Sequence, residues 1–245
     1  MAGIDFGRLD ALTFDCYGTL IDWERGLLST LWPVLDRRGV RTPNDALLEA
    51  FARFESELEA GEYQRYRKVL AGSFRGICAT FGIEPLDEEV EAFAASVGDW
   101  PAFEDSAGAL ARLSERFRLG VITNCDDDLF AASNARLGVA FDWVVTAEQV
   151  HSYKPSARNF EVALERIGAP PERVLHVAQS LYHDHVPARR LGLRTAWIDR
   201  RRGRAGSGAT PTASASPDVV EPDLRTFADL ALGGPDRPPA TAGSG

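Results

Sequence analysis

The chain has 245 residues, 44% of them hydrophobic and 26% charged, and carries a net charge of −9. This length can bury roughly 70% of the unfolded chain's surface in one large domain or in a core with a cap. An acidic balance without a basic face excludes a nucleic-acid partner. With no apolar run of about 18 residues and no charged-then-apolar amino terminus, neither a membrane span nor a signal peptide is expected.

Three cysteines, Cys16, Cys78 and Cys125, lack metal-type spacing and suit reduced thiols in a cytoplasmic protein better than a disulfide frame. In chain order, Ala11–Phe14 reads as a short buried strand. From residue 23 to 99 the apolar residues recur at helical spacing. Leu27, Leu28, Leu31 and Leu35 form one stripe, Leu47, Leu48, Phe51 and Phe54 a second, and Phe74, Ile77, Cys78 and Phe81 a third. No strand interrupts them, which predicts a helical insertion after the first strand.

The segment DWPAFED turns into a helix over 106–116. Strand-like segments then follow at 118–124, 141–147, 173–179 and 194–199, alternating with helices at 127–137, 157–167 and near 186–191. Alternation of this kind predicts an α/β fold, a Rossmann-like parallel sheet with helices on both faces. Arg200, Arg201, Arg202 and Arg204 open a Gly/Ser/Ala-rich stretch, 201–217, read as a solvated, flexible loop. PDLRTFADLAL reads as a closing helix and 233–245 as a disordered tail.

Ligands in such sheets gather at the carboxyl ends of the strands. There the chain offers Asp15, Tyr17 and Thr19, then Thr123 and Asn124, then Lys154, then Gln179, Ser180, His183 and Asp184. A carboxylate beside a lysine, hydroxyls and an amide suits covalent catalysis by an aspartate, with the lysine neutralising the acid. The bland readings are a strand-end cap for Asp15, a surface lysine for Lys154, a helix cap for Asp184 and turn residues for Thr19 and Asn124.

The order FDCYGTL, VITN, YKP, then a strand leading to Asp184, resembles the haloacid dehalogenase superfamily, and the helical insertion resembles the cap of its first subclass, placed after the first motif. The resemblance implies a core of 1–20 and 104–232 and a cap of 21–103. Phosphatases of that superfamily carry a second acid two residues after the nucleophile; here Tyr17 stands there, as it does in the type II 2-haloacid dehalogenases. Halide leaves without a proton, so the missing acid fits dehalogenation better than ester hydrolysis.

The resemblance therefore implies hydrolytic dehalogenation of a small 2-haloalkanoic acid through an aspartyl ester. Asp15, Lys154, Asp184, Thr19 and Asn124 are the expected catalytic set. Tyr17, Arg53, Thr123, Gln179, Ser180 and His183 are expected around substrate and halide, Arg53 holding the place of the family's cap arginine. No cofactor is expected, since neutral Gln179 and Tyr17 leave few charged oxygens for a hard cation; Mg²⁺ enters only if the chain is a phosphatase. A non-catalytic relative is the third alternative. The partner is a small molecule, with no nucleic acid and no membrane; a homodimer is left open. Phe160 stands where the family has a tyrosine, and Gln179 and Leu181 depart from its fourth motif.

Overall fold

A computed structural model describes residues 4–204, 206 and 208–233. Six strands form one all-parallel sheet in the order β3-β2-β1-β4-β5-β6. They are β1 (Ala11–Phe14), β2 (Arg118–Thr123), β3 (Trp143–Thr146), β4 (Val174–Ala178), β5 (Arg194–Ile198) and β6 (Val219–Glu221). Parallel strands covered on both faces are continuously apolar rather than alternating. Accordingly every residue of β1 and β4 is buried.

Between β1 and β2 lie α1 (Trp23–Asp36), α2 (Asn44–Glu59), α3 (Tyr66–Thr80) and α4 (Asp87–Ala95), then α5 (Ser106–Ser114). The remaining helices are α6 (Asp127–Leu137), α7 (Ala147–Val150), α8 (Ala157–Ile167), α9 (Val186–Arg190) and α10 (Leu224–Ala231). Leu27, Leu31, Leu47, Phe51, Phe74 and Ile77 from the predicted stripes are fully buried, so those stripes are packing faces. No described helix is long and apolar enough to cross a membrane.

The inserted helices are tied to the sheet by a polar clasp. Arg65 makes no side-chain cap for α3. Instead the fully buried Asp126, just after β2, accepts hydrogen bonds from the Tyr66 and Arg67 amides at 2.9 and 3.1 Å. A carboxylate there satisfies free helix N–H groups and the positive end of the helix dipole. The Tyr153 hydroxyl donates to the Gln64 carbonyl at 2.7 Å beside it.

Two expectations need correction. The strand-like segments read from the sequence stop at 194–199, but a further strand follows: β6 pairs in parallel with β5 at Ala196, Trp197 and Ile198. Arg200 and Arg201 do not open a free solvated loop. Arg200 holds both oxygens of Asp105 at 2.9 and 3.0 Å and donates to the Thr19 carbonyl, while Arg201 holds Glu24 at 2.7 Å. Both guanidinium groups are recruited by acids that are distant in sequence. The tail expected over 233–245 lies, after Gly233, outside the described residues.

Candidate active site

The chain runs β1, β2, β3 to one side of the sheet and β4, β5, β6 to the other, so connections diverge between β1 and β4. A crevice opens at such a reversal. Asp15 leaves the end of β1 there, its amide donating to the Val177 carbonyl at 3.1 Å. The tight turn that follows needs a left-handed residue, supplied by Gly18 at φ +91°; a side chain there would also press on Trp23.

The two Asp15 oxygens have separate partners. Oδ1 accepts from the Lys154 ammonium at 2.8 Å and Oδ2 from the Thr19 hydroxyl at 2.6 Å. Thr19 in turn accepts from the Gln179 amide at 2.9 Å, which fixes its hydroxyl toward Asp15. Lys154 is 1% exposed and uses all three of its donors. Besides Asp15 it reaches Asp184 Oδ1 at 2.7 Å and the Ile122 carbonyl at 2.9 Å. Asp184 sits on a wide π-type turn, Leu181–His185, which Ser180 caps by accepting from the His183 amide. Such turns recur at functional sites because they re-aim one side chain. The capping role thus falls to Ser180, and the Asp184 carboxylate faces the lysine.

Burial would raise the Asp184 carboxyl, but Lys154 and the His176 ring, 2.9 Å from Oδ1, hold it below the ordinary carboxylate range. Burial alone would lower Lys154; Asp15 and Asp184 keep it above the ordinary lysine value. Burial raises Asp15 above 3.8, opposed by Lys154 and reinforced by Asp184. A buried carboxylate of raised basicity, held by only two donors, keeps its nucleophilic character.

A cavity of about 30 Å³ lies against this group, lined by Asp15, Lys154, Asp184, Asn124, Ser180 and His183 on the sheet side. Trp23, Glu55, Glu59 and Tyr66 line it from the inserted helices. Asp184 lines the cavity, and its Oδ2 is buried with no hydrogen-bond partner among the described residues.

The other expected residues lie as follows. Asn124 does not touch Asp15; it clamps the Lys154 backbone, accepting from its N–H at 2.7 Å and donating to its carbonyl at 3.0 Å. The Tyr17 ring borders the cavity, but its hydroxyl is engaged by Ser133 at 3.0 Å and Cys125 at 3.3 Å. It offers no proton to a group on Asp15. Gln179 acts through its backbone, while its side-chain oxygen accepts from Thr210. Thr123 is buried and does not line the cavity. Burial pushes His183 down to about 4, so its ring is neutral. Phe160 packs edge-on against His176.

Arg53 is a correction: it is exposed, stacked over Phe54, and absent from the cavity. At about 100° per residue, position 53 lies on the opposite side of α2 from positions 55 and 59, which face the site. Sequence reasoning missed those two glutamates, although they continue the Leu48–Phe51 stripe at helical spacing. It also missed His176, a polar residue inside a buried strand, held by Thr13 at 2.9 Å.

The sequence profile of the haloacid dehalogenase-like hydrolases matches residues 9–184, the greater part of the chain. The chain belongs to that family. An (S)-2-haloacid dehalogenase of Pseudomonas putida is 26% identical over 205 residues, covering 80% of this chain and 87% of the relative. A 5-amino-6-(5-phospho-D-ribitylamino)uracil phosphatase of Escherichia coli (strain K12) is 28% identical over 216 residues, 80% of this chain and 86% of the relative. An L-2-haloacid dehalogenase structure from Xanthobacter autotrophicus, with chloropropionic acid covalently bound, superposes with a TM-score of 0.75 at 21% identity. It covers 92% of this chain and 99% of that one, a shared fold. Membership makes the protein a hydrolase of this family; its named relatives divide between carbon–halogen and phosphate-ester chemistry.

Glu55 gives a pH prediction independent of turnover. Burial pushes its carboxyl up to about 8 even though the Tyr66 hydroxyl donates to it at 2.6 Å. The unfolded value is about 4.3. The folded chain therefore binds the extra proton between those values, and stability is lost as pH rises through the folded one. His183 and His185, both pushed down to about 4 by burial, act with the opposite sign below about 6.5. The Glu55 effect therefore emerges from about pH 6.5 upward, at roughly 1.4 kcal/mol per pH unit for each proton. Thermal melts should show the wild type losing stability from pH 6.5 to 8.5 and Glu55→Gln reducing that slope, the neighbouring Glu59, also raised by burial, contributing the rest with the same sign. Equal slopes in both proteins would contradict the placement of Glu55.

Proposed function

We propose that the protein hydrolyses a carbon–halogen bond through an ester on Asp15, as a dehalogenase related to those acting on 2-haloalkanoic acids. The observation that carries this reading is Tyr17. It stands where a phosphatase needs its second acid, and its hydroxyl is engaged by Ser133 and Cys125. A poor leaving group such as an alkoxide needs a proton from a positioned acid; halide does not.

In the first step an Asp15 oxygen attacks the halogen-bearing carbon opposite the carbon–halogen bond. A carbon–oxygen bond forms and the halogen departs with its electron pair as halide. Lys154 and Thr19 orient the attacking carboxylate, and Asn124 keeps Lys154 in register. Water then adds to the ester carbonyl, expels the product alcohol and restores the Asp15 carboxylate, releasing one proton to solvent. The unpartnered Asp184 Oδ2 is the acceptor available to aim that water. Inserted helices closed over the site exclude bulk water from the first step.

The reaction is proposed to need no metal. Asp15 has a donor on each oxygen, Asp184 Oδ1 is shared by Lys154 and His176, and positions 17 and 179 are neutral. Among the described residues no three His, Cys, Asp or Glu are grouped to hold a metal ion. Hard divalent ions favour several charged oxygen ligands grouped together, and the cavity carboxyls of Asp15, Asp184, Glu55 and Glu59 are not grouped so. Halide release should be measured over chloro-, bromo- and fluoroacetate, 2-chloropropionate and their amides, with and without EDTA. The expected result is release from at least one of them, unchanged by EDTA. Mg²⁺-dependent turnover of a phosphomonoester, with no halide release, would overturn the proposal.

A further inference from the structure

We propose that the site takes a small electrophile whose distal end is uncharged and polar, an amide or hydroxyl, and discriminates against a carboxylate at that position. The inference rests on the organohalide reading for its chemistry, and on the cavity walls for its selectivity. A buried substrate carboxylate is held best by a cation with donors to spare. Among the described residues, Lys154 is the one permanently charged cation lining the cavity, and Asp15, Asp184 and the Ile122 carbonyl use its three donors. The arginine expected to supply the second cation, Arg53, faces solvent on the far side of α2.

In its place α2 presents two acids. Glu55 is 3% exposed, with Oε1 accepting from the Tyr66 hydroxyl at 2.6 Å. Glu59 accepts from the Asn124 amide at 3.2 Å, which joins it to the residue that clamps Lys154. With Asp15 and Asp184, four of the cavity-lining side chains are carboxyls. A further carboxylate entering this space meets like charge if the glutamates are ionised. If they are protonated, it still finds no balancing cation.

Burial raises both glutamates, Glu59 further through the neighbouring Glu55, which favours the protonated form near neutral pH. A protonated carboxyl offers one donor and one acceptor, the complement of an amide edge or a hydroxyl. The cavity is small, about 30 Å³ against the roughly 10–15 Å³ that holds one water, so the ligand is small and the α2 side chains yield to admit it.

Unreactive isosteres separate selectivity from turnover. Propionamide and propionate should be titrated into the full chain at pH 7 by ligand-observed NMR, on the wild type and on Glu55→Gln and Glu59→Gln, each checked for folding by circular dichroism. The wild type is expected to bind propionamide at least tenfold more tightly than propionate, and either substitution to narrow that ratio severalfold. In parallel, 2-chloropropionamide should exceed 2-chloropropionate in kcat/KM by a similar factor. Propionate binding as tightly as propionamide, or no saturable binding of propionamide, overturns the inference whatever the variants do. Preferential propionamide binding with no halide released from any organohalide would overturn the dehalogenase reading and leave the selectivity standing.

Discussion

Asp15→Asn is expected to abolish turnover, lowering kcat by roughly 10⁴-fold or more, the scale for removing a nucleophile that acts within a unit. An amide oxygen is a poor nucleophile toward carbon, and no neighbour replaces it: Asp184 is held by Lys154 and His176. The fold should survive. Asparagine has the same shape, Thr19 can still donate to its oxygen, and Lys154 retains Asp184 as a counter-charge. Halide release and a thermal melt on one preparation check both halves, with mass spectrometry excluding reversion by deamidation. Activity above a few per cent of wild type in the intact variant would remove Asp15 from the nucleophile's role.

Lys154→Met should cost turnover and stability together. The lysine is the permanently charged partner shared by two buried carboxylates, at 2.8 and 2.7 Å. Removing one partner of a buried ion pair costs about 3–5 kcal/mol, because the remaining charge stays desolvated. In the variant Asp15 and Asp184 face each other uncompensated, so one takes up a proton and its carboxyl rises. Asp15, already raised by burial, is the one expected to protonate, and the nucleophile is lost near neutral pH. The expected outcome is a fall in kcat of roughly 10³-fold or more, a lower melting temperature, and residual activity displaced to higher pH. Near-normal rate and melting temperature would show that the lysine is not the counter-charge of the site.

The parallel α/β sheet was legible because its signals are local. Helices α6 and α8 end where their apolar periods end, at Gly138 and Gly168 in left-handed conformation, so even their bounds could be read. Strand β1 was legible as an apolar run closed by a carboxylate and a glycine turn. Strand β6 was not: three residues after a proline- and serine-bearing stretch carry no period, and only pairing with β5 makes them a strand. Arg200 and Arg201 were misread because their partners, Asp105 and Glu24, lie far away in sequence.

The sheet side of the site follows from strand ends and is visible in one dimension. The helical side depends on the rotation of α2 against the core. One sequence placed Arg53 on the wrong face of that helix and left Glu55 and Glu59 unremarked, although a glutamate on an apolar stripe is itself a signal. His176 gave the same kind of signal in β4. Asn124 was recognised as a site residue, but nothing in sequence shows that it grips the Lys154 backbone.

The covalent intermediate is tested most directly by one turnover in ¹⁸O-water with enzyme in excess over a substrate found by the halide screen. If Asp15 attacks carbon, the product's new oxygen comes from the carboxylate and water adds to the ester carbonyl. Mass spectrometry of the peptide containing Asp15 should then show one ¹⁸O, and the product alcohol should emerge unlabelled. Labelled product together with unlabelled Asp15 would mean that water attacks the substrate directly, with Asp15 as a base, and would contradict the mechanism.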